Sequence, residues 1–223
     1  MKNPLEEAIT NTFHLLYYFS PHTWNQGHTK WMGVPCFQNP LDMWVLQEII
    51  FETRPTLIIE TGSACGGTAR FFATLFDQLG EGQVISIDTQ EGMKPLTSHK
   101  RITFLKGMST DPNILDMVRD CIKSYSHKKV MVMLDSDHST ENVLAELRAY
   151  NQFVTSGCYL IIHDTNLEGN PIYNQNSPGD PNKAVKIFLG ENDQFESDLS
   201  REKFYMTFMP GGFLYKKEEK NGK

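Results

Sequence analysis

The sequence predicts an α/β fold, a doubly wound, mostly parallel sheet finished by an antiparallel C-terminal hairpin. Three observations predict it. Between Thr56 and Ile162, five short apolar runs alternate with helix-patterned stretches, as in a parallel sheet covered by helices. Four of those runs end at an acid: Glu60, Asp88, Asp135 and Asp164. Near the C-terminus, Pro210-Gly211-Gly212 separates two β-rich runs, Lys203–Met209 and Phe213–Lys217, as a hairpin turn would.

Each element has its own signal. Leu5, Ile9, Phe13, Leu16 and Phe19 form a helical stripe. Residues 20–40 follow no period and hold Trp24, Trp31 and several turn formers. They read as a strap over the core, or as a substrate-pocket wall or dimer contact. Asn39 and Pro40 form an N-cap and first helical position, and that helix must stop before Pro55. Strand 57–60 runs into Gly62, Gly66 and Gly67, then a helix from about Thr68 to Leu79 that Gly80 closes. Strands follow at 83–88, 102–106, 129–134 and 158–162. Asp111-Pro112 opens one intervening helix and Ser139 caps the next. The long segment 165–181 is expected to be a lid, before a helix around 184–189. Residues 1–55 thus form an N-terminal helical and strap segment, 56–217 the main domain and 218–223 a charged tail.

Composition narrows the function. The net charge of −6 argues against a nucleic-acid partner, which needs a basic face. No apolar run approaches a membrane span. The N-terminus carries acids where a signal peptide needs a basic flank. Cys36, Cys65, Cys121 and Cys158 are widely spaced, as free thiols of a reducing, cytoplasmic compartment would be.

The turn after the first strand of this sheet reads as a cofactor site. Glycines let the backbone turn sharply and approach a ligand, and the next helix offers free N–H groups. Asp88, 21 positions past Gly67, can hold a ribose diol. The pattern Glu60-x-Gly62-x-x-x-Gly66-Gly67 is neither a dinucleotide fingerprint nor a phosphate loop. Glu60 would repel a pyrophosphate, yet would attract an ammonium or sulfonium. That points to S-adenosylmethionine. The residues assigned to it are Glu60, Gly62, Ser63, Gly66, Gly67, Asp88, Ser109 at the adenine edge, and Asp135.

At these residues the chain resembles class I S-adenosylmethionine-dependent methyltransferases, whose seven-stranded sheet ends in such a hairpin. Within that fold it is most similar to the cephalosporin hydroxylase family, from about Trp31 to Lys216. The resemblance rests on Trp31-Met32-Gly33, Pro40-Leu41-Asp42, Arg54-Pro55, Glu60-Thr61-Gly62-Ser63 with Gly66-Gly67, Leu134 to Ser139, and Asp164-Thr165-Asn166. Related sugar and catechol O-methyltransferases use a divalent metal. The resemblance implies metal ligands at Asp135, His163 and Asp164, with Mg²⁺ the expected ion. His163 stands where relatives commonly have an acid, so Mn²⁺, Fe²⁺ or Zn²⁺ also fit. It further implies a general base just past Asp135, either His138 or Asp137, with His138 favoured by its ordinary pKa.

The expected activity is a metal-assisted O-methyl transfer to a small hydroxylated molecule, a sugar or natural product. The competing readings are an oxygen-using hydroxylase, as the family name suggests, and a non-catalytic cofactor-binding partner of an oxidative methoxylation system. A homo-oligomer using the N-terminal segment is compatible with all three.

Overall fold

The computed structural model describes residues 3–24, 28–91, 93–124, 129–173 and 179–218. The chain opens with α1 (Pro4–Phe19), held by a capping box between Asn3 and Glu6. A two-stranded ribbon, β1 (Lys30–Trp31) and β2 (Val34–Pro35), precedes α2 (Pro40–Thr53). Asn39 caps α2 as expected, its side chain accepting from the Leu41 N–H.

The main domain alternates β3 (Leu57–Thr61), α3 (Gly67–Leu79), β4 (Gln83–Asp88), β5 (Ile102–Lys106), α4 (Pro112–Ser124), β6 (Val130–Leu134), α5 (Thr140–Tyr150), β7 (Tyr159–Ile162) and α6 (Pro181–Glu191). It ends with β8 (Phe195–Ser197) and β9 (Phe213–Lys216). The seven-stranded sheet has the order β5-β4-β3-β6-β7-β9-β8, parallel except for β9, which runs antiparallel to both neighbours. β3, β6 and β7 are buried along their whole length because helices cover both faces. Phe72 and Phe76 of α3 are fully buried, each worth roughly 1.5–3 kcal/mol of hydrophobic stabilisation.

Two expectations are corrected. The antiparallel partner of β9 is Phe195–Ser197, not the run Lys203–Met209. The Phe208 N–H is taken by the carboxylate of Asp42 at 2.8 Å, and its ring is buried with Tyr18, Leu167 and Ile172 in a second small core. That run therefore has a packing role that a sheet edge could not satisfy. The described start of the 165–181 segment is no loose lid: Thr165, Asn166, Leu167 and Ile172 are buried in or beside the same core. Residues 174–178 of that segment, and the tail from 219 onward, lie outside the described residues.

Candidate active site

β3 lies between β4 and β6, where the order of the parallel strands reverses. A crevice forms at such a point, beyond the carboxyl ends of the strands. Here it is a cavity of about 1080 Å³, bordered by Gly62, Ser63, Asp88, Ser109, Asp135 and His138 among others.

The glycine turn is shaped by backbone contacts. Gly62 has φ +85°, and a β-carbon on it would lie 1.7 Å from the Asp135 carbonyl oxygen. Gly66 has φ +81° and caps α3, facing Thr97 and Phe104. Gly67 is needed for a different reason: a β-carbon there would lie 2.1 Å from the Pro35 carbonyl oxygen. The strap thus crosses directly over the turn.

Glu60 is fully buried and accepts from Ser86 Oγ at 2.5 Å, while its other oxygen has no hydrogen-bond partner. Burial pushes its carboxyl up to about 8 despite that hydrogen bond. A cation brought against its empty acceptor would favour the ionised form. Ser63 shares a 2.7 Å hydrogen bond with Ser86. Asp88 is held at the rim by the N–H groups of Ala64 at 2.9 Å and Gln90 at 2.7 Å. The Ser109 carbonyl accepts from the Tyr150 hydroxyl at 2.7 Å. Below it, buried Glu146 accepts from Ser136 Oγ at 2.7 Å.

Asp135, His138 and Asp164 each offer one donor atom, all within 4.8 Å of one another. His138 Nε2 lies 3.0 Å from Asp164 Oδ2 and 4.0 Å from Asp135 Oδ1. Asp164 Oδ1 is buried without a hydrogen-bond partner. Two carboxylates with an unfilled acceptor fit a hard divalent ion, and the imidazole keeps Mn²⁺ in range.

His163 meets both acids. It is buried at the edge of the cavity, with Nδ1 3.1 Å from Asp135 Oδ1 and 3.0 Å from Asp164 Oδ2. Neither nitrogen makes an aligned hydrogen bond, so these are ion-pair contacts. Burial opposes its charge, but the two carboxylates outweigh it and raise its pKa well above the ordinary histidine value. Burial likewise opposes ionisation of Asp164, yet His163 and His138 hold that carboxyl below its usual range. His138 and His163 thus both lie against the two acids.

Asp137 sits in a turn. Its carboxylate accepts from the Ser139 N–H at 2.8 Å, and hydrogen bonds to Ser139 lower its pKa. It is an exposed turn acid at the entry to α5 and a poor proton acceptor.

Sequence reasoning missed Gln38, which donates from Nε2 to Asp135 Oδ2 at 2.9 Å. It also missed Ser86, Ser136 and Glu146. Ser86 and Glu146 are polar residues among apolar positions of a strand and a helix, a signal that could have marked them as partnered. Gln38 has no such signal.

The family model for rhamnosyl O-methyltransferase/CmcI matches residues 23–217. The chain belongs to that family. A rhamnosyl O-methyltransferase of Mycobacterium leprae is 37% identical over 215 residues, covering 95% of this chain and 92% of the relative. One from Mycobacterium bovis is 34% identical over 214 residues, covering 93% and 85%. The apo-structure of CmcI shares the fold, with a TM-score of 0.67 and 20% identity over 87% of this chain and 78% of that one. As a member of the rhamnosyl O-methyltransferase/CmcI family, the chain is an S-adenosylmethionine-dependent O-methyltransferase.

Proposed function

We propose that this chain methylates a hydroxyl of a sugar or sugar-bearing small molecule, with S-adenosylmethionine as donor and a divalent ion held by Asp135 and Asp164. One observation carries the reading. The Asp135, His138 and Asp164 cluster shares a single crevice with Gly62, Ser63 and Asp88 of the glycine turn and the next strand end. The rhamnosyl O-methyltransferase relatives support a sugar acceptor.

Glu60 receives the cationic methionine end, and Asp88 takes the ribose hydroxyls. Ser63 and the turn of Gly62, Gly66 and Gly67 seat the donor, and Ser109 meets the adenine edge. Bound there, S-adenosylmethionine supplies an electrophilic methyl and leaves as S-adenosylhomocysteine, while a divalent ion lowers the acceptor hydroxyl's pKa. Asp164 Oδ2, 3.0 Å from His138 Nε2, accepts from the N–H there, which leaves Nδ1 of the neutral imidazole to take the hydroxyl proton. His163, in contact with both acids, steadies them.

Mass spectrometry of rhamnosides incubated with the protein, S-adenosylmethionine and Mg²⁺ tests this reading. A mass gain of one methyl that EDTA abolishes is expected. Methylation of catechols but of no sugar would overturn the substrate class.

The partner side of the reading is a second copy. Leu5, Ile9, Phe13, Leu16 and Phe19 of α1 are exposed, as are Phe204 and Tyr205 beside them. Seven large side chains at about half exposure make roughly 700 Å² of apolar surface, near the 800 Å² or so that each partner of a standard interface buries. α1 carries Glu6 and Glu7 in its first turn and no basic residue in its last, which disfavours an anionic membrane. Among the described residues, no helix is long and apolar enough to cross a membrane. Four free cysteines support a cytoplasmic location.

A further inference from the structure

Gln38 sits in the aperiodic strap, yet few side chains of the site are held more firmly. It is 1% exposed. On its N-terminal side, the backbone of Pro35 and Cys36 lies on Gly67 so closely that a β-carbon there would be 2.6 Å from Cys36 Cα. On its C-terminal side, Asn39 caps α2 and donates to Asp42 at 3.2 Å. The strap is therefore anchored to the cofactor turn and to α2 at once, with Gln38 between the anchors.

Its amide meets Asp135. Nε2 donates to Asp135 Oδ2 at 2.9 Å, and a carboxylate accepts only, so the amide must present its nitrogen there. Asp135 Oδ1 meanwhile faces His163 and His138. The two oxygens are thus divided, one toward Gln38 and one toward the histidines. The remaining atom, Gln38 Oε1, is a buried acceptor without a hydrogen-bond partner among the described residues, and the residue borders the main cavity.

We infer that Gln38 is a positioning residue for the divalent ion: it sets the rotation of the Asp135 carboxylate, and its free oxygen receives a donor that arrives with the ion. The inference rests on the metal reading above. Groups behind metal ligands typically set affinity by about 10- to 100-fold through ligand orientation. A carboxylate released by Gln38 would swing on its free torsion, and the ion would meet one oriented oxygen fewer.

Mn²⁺ binding, read by electron paramagnetic resonance without acceptor or turnover, tests this. Gln38→Met keeps the length of the side chain and removes its donor. It should weaken Mn²⁺ affinity about tenfold, while S-adenosylmethionine affinity measured without metal stays within the error of the wild type. Gln38→Glu places a carboxylate against Asp135 and should alter Mn²⁺ affinity in the folded protein, so a failure of the Met variant to fold leaves the measurement available. Unchanged Mn²⁺ affinity in a folded Met or Glu variant overturns the inference and leaves the metal reading standing. Wild-type protein that takes up no Mn²⁺ overturns both.

Discussion

Gly179 packs on the backbone of His138 so closely that a β-carbon on the glycine would lie 2.1 Å from the His138 carbonyl oxygen. Thr140 ties the same two segments together by donating to the Asp180 carbonyl at 3.1 Å. The chain entering α6 therefore sets the height of the loop that carries His138. Gly179→Ala should push that loop away and lower kcat about 100-fold, the cost of roughly 1 Å of misplacement. Steady-state kinetics with donor affinity as control checks this, and unchanged kcat would show that the loop yields without moving the imidazole.

His138 is assigned the proton and Asp135 the ion, and single variants separate these roles. His138→Ala should lower turnover by about 10²- to 10⁴-fold while Mn²⁺ still binds. Asp135→Ala should lose Mn²⁺ binding and turnover together. Loss of Mn²⁺ binding in the His138 variant would instead make His138 a ligand.

Gly62 combines φ +85° with a β-carbon position 1.7 Å from the Asp135 carbonyl oxygen. Gly62→Ala should cost about 3 kcal/mol or more, from left-handed strain and overpacking together. A denaturant midpoint shift at constant slope would report it. A midpoint like that of the wild type would mean that β3 and β6 can separate.

Glu60 makes stability depend on pH. Burial raises its pKa from the ordinary 4.5 to about 8, so across that window the folded chain holds a proton that the unfolded chain has released. Stability from this group is full below the lower value and falls as pH rises toward 8, by up to about 1.4 kcal/mol per pH unit. Asp42, pushed up by burial to about 6, acts in the same direction over a lower range. Ligand-free protein should therefore melt at lower temperature at pH 8 than at pH 6, and Glu60→Gln should flatten that slope. An equal slope in the variant would remove Glu60 as its source.

The exposed stripe of α1 predicts a concentration-dependent dimer. Ile9 and Leu16 are 61% and 67% exposed, so Ile9→Glu with Leu16→Glu should leave the fold intact and give a monomer by light scattering. A wild-type monomer at all concentrations would sink the second-copy reading.

Local patterns carried much of this protein. The run Leu57–Ile59 ending at Glu60, the glycines after it and the capping pair Asn39-Pro40 all describe contacts within a few residues of chain. The structure returns them as β3, its turn and α2. The run Lys203–Met209 misled because Phe208 is buried in a second core with Tyr18 of α1, which no local period distinguishes from a strand.

By itself the sequence determined the parallel sheet, the order of its strands' acids and the crevice that must form beyond them. Alternation and strand-end chemistry are short-range properties, so they can be read along the chain. Only the tertiary structure decided that both His138 and His163 meet Asp135 and Asp164, and that Gln38 reaches Asp135 across 97 positions of sequence. Side-chain direction at a strand end depends on what packs behind it. Phe208, its ring centroid 6.1 Å from that of His163, supplies that packing from the far end of the chain.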